Sequence, residues 1–145
     1  MDFFTAMEVS ASGLHAERTR LNVAASNLAN AQTTRGADGG PYKRRDVLLA
    51  SQAAGAGVAG GKAGGPPTGV FSVNVQGIKD DAKPPRLEYD PGHPDANADG
   101  YVAYPNVNAV EEMVDMITAS RAYQAGITAM DTTVTLAERA LGIGR

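Results

Sequence analysis

Proline and glycine are segregated along this chain, and the segregation limits what it can fold into. Residues 2–31 hold one glycine, Gly13, and no proline. Residues 107–141 hold one glycine, Gly126, and no proline. All 8 prolines lie between these blocks. Proline breaks helix interiors and glycine weakens them. Two uninterrupted ends therefore flank a middle that cannot form a long helix.

The N-terminal block carries a heptad pattern. Met7, Leu14, Leu21 and Leu28 recur every seven residues, interleaved with Phe4, Ala11, Arg18 and Ala25. The alternating three- and four-residue steps predict a helix with a narrow apolar seam, and only Arg18 interrupts it. This helix is expected to fade near Asn30 to Thr34 and to stop before Gly36. The C-terminal block keeps the same alternation through Met113, Met116, Ser120, Tyr123, Ile127, Met130, Val134, Ala137 and Leu141. Asn108 is placed to cap it, with Glu111 three residues on, as in a capping box. Glu111, Glu112 and Asp115 suit the positive end of the helix dipole. Gly142 and Gly144 mark its expected end. A second apolar row, Val107, Val110, Val114 and Ile117, covers the first half.

Length sharpens the expectation. Helices of these blocks would span about 45 Å and 52 Å, more than the ~40 Å width of a compact globule of this size. The fold class expected is α+β: two long terminal helices form an antiparallel, coiled-coil-like pair beside a small β- and loop-rich middle domain. The segments are 1–34 for the first helix, 35–106 for the middle and 107–145 for the second helix. One two-helix seam cannot cover two apolar rows, so the second row calls for another chain. In the middle, Phe71, Val73 and Val75 alternate with polar residues as a half-buried strand does. Asp46–Ser51, Arg86–Leu87–Glu88–Tyr89 and Tyr101–Tyr104 are further strand candidates. From Ala53 to Gly69, 14 of 17 residues are Gly, Ala or Pro, a low-complexity loop.

Composition removes several function classes. The 145 residues carry 13 Lys and Arg against 16 Asp and Glu, a net charge of −3, which is not that of a nucleic-acid binder. There is no cysteine and there are only 2 histidines, His15 and His93, so thiolate chemistry and a multi-histidine metal centre are excluded. No apolar run is long enough to span a membrane, and the first residues do not read as a cleavable signal peptide. Gly55, Gly57 and Gly60 spell GxGxxG, but the following glycines and prolines prevent the helix that a dinucleotide site needs; Lys62 lacks the Ser or Thr of a P-loop. Asp95, Asn97, Asp99 and Gly100 open like a calcium loop, but the twelfth position is Asn106 and Pro91 and Pro94 preclude the entering helix. The plainer reading is a connector built on Asx-turns. Lys43, Arg44 and Arg45 read as a solvated strand edge. No nucleophile–base arrangement stands out, and no cofactor is implied.

Two strings carry a resemblance. Residues 25–33 read ASNLANAQT and lead into TRGADGGPYKRRDVLL; residues 89–107 read YDPGHPDANADGYVAYPNV and lead into NAVEEMVDMITASRAYQAGITAMDTT. SNLANAQT resembles the N-terminal signature of the flagellar rod, hook and hook-associated axial proteins, and EMVDMITASRAYQA resembles their C-terminal signature. GGPYKRRDV and YDPGHPDANADGYV point within that family to the proximal rod. The loop at 53–69 has no clear counterpart.

The resemblance implies a non-enzymatic building block of the bacterial flagellar basal body. It would be exported from the cytoplasm without a cleavable signal peptide, through the flagellar type III apparatus. It would assemble helically with itself and with other rod proteins, of the FlgB, FlgF, FlgG and FliE types. The product would be a drive shaft that crosses the periplasm, transmits torque and surrounds the export channel. No nucleic acid and no membrane insertion are implied. The residues expected to pack subunits are Met7, Leu14, Leu21 and Leu28 on the first helix. On the second they are Met116, Tyr123, Ile127, Met130 and Val134, with Val110, Val114 and Ile117 against adjacent copies. Asn27 and Asn30 are expected to terminate or cross-link the first helix. Two other readings are a self-contained helical-hairpin adaptor that binds one partner, and a small calcium-binding protein using Asp95, Asn97 and Asp99.

Overall fold

The computed structural model describes residues 3–36, 38–53 and 69–143. Residues 54–68, which hold most of the Gly/Ala/Pro loop and the GxGxxG string, lie outside the described residues, as does Gly144. The element order is α1 (Phe3–Ala29), β1 (Arg45–Ala53), β2 (Phe71–Asp80), β3 (Arg86–Tyr89), β4 (Tyr101–Tyr104) and α2 (Ala109–Ile143). The fold is α+β: helices of 27 and 35 residues enclose a middle of short strands in sequence order.

Local chemistry explains the boundaries. At the start of α2, the Asn108 side-chain oxygen accepts the Val110 N–H at 3.1 Å, as an N-cap does. At the other end of the middle, α1 stops at Ala29, earlier than the fade expected at Asn30–Thr34. The Asn30 N–H still makes the helical bond to Ser26 O at 3.1 Å, but the Ala31 N–H turns to Leu28 O, three residues back, at 3.2 Å. The Asn30 side-chain amide nitrogen donates to Ser26 O at 2.8 Å, and the Thr33 N–H donates to Asn30 O at 3.1 Å. Helix α2 passes through Gly142 and continues to Ile143. Along α2, the hydroxyls of Thr118, Thr128, Thr132, Thr133 and Thr135 each bond the carbonyl four residues back.

The strands form two two-stranded sheets, β1 with β2 and β3 with β4. In the second sheet the pairing is antiparallel, with Arg86 opposite Tyr104, Leu87 opposite Ala103, Glu88 opposite Val102 and Tyr89 opposite Tyr101. Val102 is fully buried, so the Val102 face points inward and the face carrying Leu87, Tyr89 and Tyr101 points outward. The two tyrosine rings meet edge to face at 5.3 Å. The connector from β3 to β4 is built on side-chain caps. Asp90 accepts the Gly92 N–H, and Asn97 accepts the N–H groups of Asp99 and Tyr101. It closes at Gly100, whose φ is +82°. A Cβ there would stand 2.9 Å from the Tyr89 ring, so both backbone and space require glycine.

The chain divides into two compact units, each assembled from separated segments. One holds residues 1–19, 48–77 and 119–145; Ala16 and Ala119 are its described buried apolar residues. Within it, the Ser12 hydroxyl of α1 accepts the Val73 N–H of β2 at 3.1 Å. The other holds residues 20–47 and 78–118, with Val23, Ala24, Val102 and Pro105 buried. Apolar burial is sparse for a chain of this length, and 16 large hydrophobic residues remain exposed among those described.

The Gly100→Ala variant should lose about 1–3 kcal/mol of stability, because it combines a left-handed backbone with a steric conflict. Gly77→Ala, where an added Cβ meets nothing within 4 Å, should change little. Urea unfolding of the two variants side by side checks this.

Candidate subunit-packing site

The ASNLANAQT string ends α1, and its first asparagine is the most heavily used side chain described. Asn27 is 1% exposed. Its amide nitrogen donates to the Arg45 carbonyl at 2.9 Å and to Glu112 Oε2 at 3.0 Å. Its oxygen accepts the Arg45 N–H and the Tyr42 hydroxyl, both at 2.9 Å. An asparagine amide offers two donors and two acceptor sites, and here all four are taken. Toward Arg45 it bonds both backbone groups, as a neighbouring strand residue would, and so anchors the first residue of β1 to α1.

Glu112, on the first turn of α2, completes the cluster. It is 1% exposed, and Arg44 Nε donates to its Oε1 at 2.6 Å. The Arg44 guanidinium also bonds the Asp46 carboxylate. Burial by itself would lower the Arg44 pKa. The hydrogen bond and charge of Glu112, joined by Asp46, outweigh that and hold it above the usual arginine value. The direction is upward, so the pair's contribution to stability is present below the unfolded-state pKa and fades only as pH rises through the folded-state value. A buried carboxylate with no partner would be costly; here both oxygens are bonded, and no buried side-chain polar atom among the described residues lacks a partner.

Glu112 does stand in the first turn of α2, as expected of a helix-dipole acid, and its side chain is turned into the interior. One sequence expectation needs correction. The Lys43–Arg44–Arg45 run is not a uniformly solvated edge: the Arg44 side chain is only 20% exposed and is committed to Glu112. Arg45 does lie at the surface, 3.5 Å from Asp80. Asn30 plays a separate part from Asn27, closing α1 through Ser26 and accepting the Thr33 hydroxyl.

The apolar candidates fall into two groups. Met7, Leu14, Leu21, Leu28, Met116, Tyr123, Met130 and Val134 are partly buried, and Ile127 is exposed. Leu14 and Gly126 approach closely: a Cβ at Gly126 would lie 2.8 Å from Leu14 Cδ2, so glycine lets the helices meet there. By contrast, Val110, Met113, Val114 and Ile117 are 68%, 49%, 56% and 54% exposed. These four fall along one side of α2 at helical spacing. The calcium-like residues are used for loop closure. Asp95 accepts the Thr34 hydroxyl at 2.8 Å and lies 3.7 Å from Arg35.

Known proteins match this sequence from end to end. A family model described as "Flagella basal body rod protein" matches residues 7–37, and one described as "Flagellar basal body rod FlgEFG protein C-terminal" matches residues 98–143. The flagellar basal-body rod protein FlgC of Bacillus subtilis is 40% identical over 100% of both chains. FlgC of Borreliella burgdorferi is 40% identical over 99% of this chain and 98% of its own length. The chain belongs to the FlgC family of flagellar basal-body rod proteins. FlgC of Salmonella typhimurium is 39% identical, again over 100% of both chains. The two matched regions include Asn27 of α1 and Glu112 of α2, so the polar cluster joins the two regions that the rod-protein family models match. The chain is thus a structural subunit of the flagellar basal-body rod, not an enzyme, and it assembles with other rod components.

Arg44→Ala should cost about 3–5 kcal/mol, since it leaves Glu112 buried without its cation. Asp46→Ala, which removes a half-exposed partner, should cost under about 1 kcal/mol. Chemical denaturation of both variants gives the comparison, and equal effects would mean that Glu112 does not depend on Arg44 for its charge.

Proposed function

We propose that this rod subunit belongs to the proximal rod and assembles helically through its terminal segments, 1–34 and 107–145, with residues 35–106 carried beside them. The rod it builds spans the periplasm, transmits torque and surrounds the export channel. The chain reaches that place through the flagellar type III apparatus without cleavage, and its neighbours include rod proteins of the FlgB, FlgF, FlgG and FliE types.

The observation that carries this reading is the apolar row of α2. Val110, Val114 and Ile117 are exposed in the single chain, although each is of a kind that assembly surfaces bury. An adjacent copy supplies the missing cover. Within the chain, α1 and α2 pair antiparallel along the seam of Met7, Leu14, Leu21 and Leu28 with Met116, Tyr123, Ile127, Met130 and Val134. Two contacts support that direction: Leu14 lies against Gly126, and Asn27 lies against Glu112. A later position on α1 meets an earlier one on α2. Asn27 and Asn30 hold and close the end of α1.

Mass spectrometry of purified hook–basal bodies, with soluble periplasm as control, tests the placement. The chain should be enriched in basal bodies with its N-terminus intact. Abundance in the soluble fraction alone would favour the single-partner adaptor instead. The surface itself is tested by Val114→Asp. Because Val114 is exposed in the single chain, this variant should unfold within about 0.5 kcal/mol of the parent. It should nevertheless fail to enter basal bodies and abolish motility. Ile127→Asp, on the seam, should abolish motility as well.

A further inference from the structure

The heptad seam has a weakness. With Met7, Leu14, Leu21 and Leu28 spaced by seven, sliding one helix past the other by one heptad returns leucine to leucine's place. Apolar packing of this kind specifies a face but only weakly specifies an alignment. The close approach of Leu14 to Gly126 restricts the alignment sterically in the unit that holds those two residues; in the other unit a different contact must select it.

We propose that the buried cluster of Asn27, Arg44 and Glu112 is the register key of the terminal helices: it selects their alignment and adds little net stability. The proposal rests on the antiparallel pairing put forward above. Its logic follows from the chemistry of each group. In the structure Asn27 faces Glu112 and has all four amide bonds satisfied. A one-heptad slide sets Asn27 against Pro105 in one direction and Ala119 in the other. Neither side chain offers a hydrogen bond, so the buried amide would lose its α2 partner. Glu112 would meet Thr34 in one slide and Arg20 in the other. Arg20 is an acceptable partner for a carboxylate, so the charge alone does not discriminate and the amide does. Asparagine is also the residue for this position among close relatives in shape. Aspartate would lose both donors and bring a second carboxylate to Glu112, and leucine would accept every alignment equally. Buried polar groups of this type generally give little or no stability relative to well-packed apolar ones, and setting register is their best-attested use.

The chain has no cysteine, so paired cysteines can report the alignment directly. Ala24 and Asp115 border the same cavity, of about 180 Å³ beside Glu112. Full-length chains carrying Asp115→Cys together with Ala24→Cys, Glu17→Cys or Ala31→Cys report the observed alignment and a one-heptad slide in either direction. With the cluster intact, only the 24–115 pair should cross-link with a short bismaleimide. In the background Asn27→Leu, Arg44→Met, Glu112→Leu, the 17–115 and 31–115 pairs should link as well. Helical circular dichroism should be retained, with a thermal midpoint within about 5 °C of the parent. Exclusive 24–115 linking in that background would overturn the register key. So would loss of the helical signal, since the cluster would then be supplying stability. Failure of the 24–115 pair to link in the parent would instead count against the helix pairing itself.

Discussion

One saturated amide organises the unit built from residues 20–47 and 78–118. Asn27 binds the backbone of Arg45 on both sides and the carboxylate of Glu112 at once. The end of α1, the start of β1 and the start of α2 are thereby tied at a single point. Because every member of the cluster is bonded, none can be removed without stranding another in a low-dielectric interior. Apolar burial could not substitute for this. The described core is a handful of residues, several of them alanine, and such a core brings elements close without strongly prescribing which atoms face each other.

The same economy explains why so much apolar surface is left outside. A self-sufficient monomer of this length would turn the Val110, Val114 and Ile117 row inward. Here the inward direction of α2's first turns is given to Glu112, and the row is left facing out. The β3–β4 hairpin shows the same preference, with Val102 inward and Leu87, Tyr89 and Tyr101 outward. A FlgC-family chain is a rod component, and in the assembly proposed above its exposed apolar rows are the surfaces left for neighbours.

Local features were legible in the sequence. Arg86–Tyr89 and Tyr101–Tyr104, expected as strands, are β3 and β4 at those bounds, and Asn108 announced the start of α2. The strands β1 and β2 run longer than alternation suggested, to Ala53 and through Gly77 to Asp80. There, pairing between strands overrides the weak propensity of single residues. The cluster was not legible, for a physical reason. Asn27 and Glu112 are 85 positions apart, and Tyr42 and Arg45 reach Asn27 across 15 and 18. No periodicity connects them. Arg44 sits in a basic run that looks solvated, and Glu112 sits where acids ordinarily serve a helix dipole. A pair of asparagines in an otherwise alanine-rich helix end was the available hint, since alanine would have continued that helix at less cost.

The threonines of α2 have a consequence for whatever lies against that helix. Each hydroxyl is turned back onto its own helix and bonded there. What such a residue shows to the outside is its methyl group. A neighbour resting on these positions needs to bring no matching donor or acceptor, and it can shift by a fraction of a turn without breaking a bond. The helix thus combines one sharply directional contact at its start with a smooth, undemanding flank along the rest of its length.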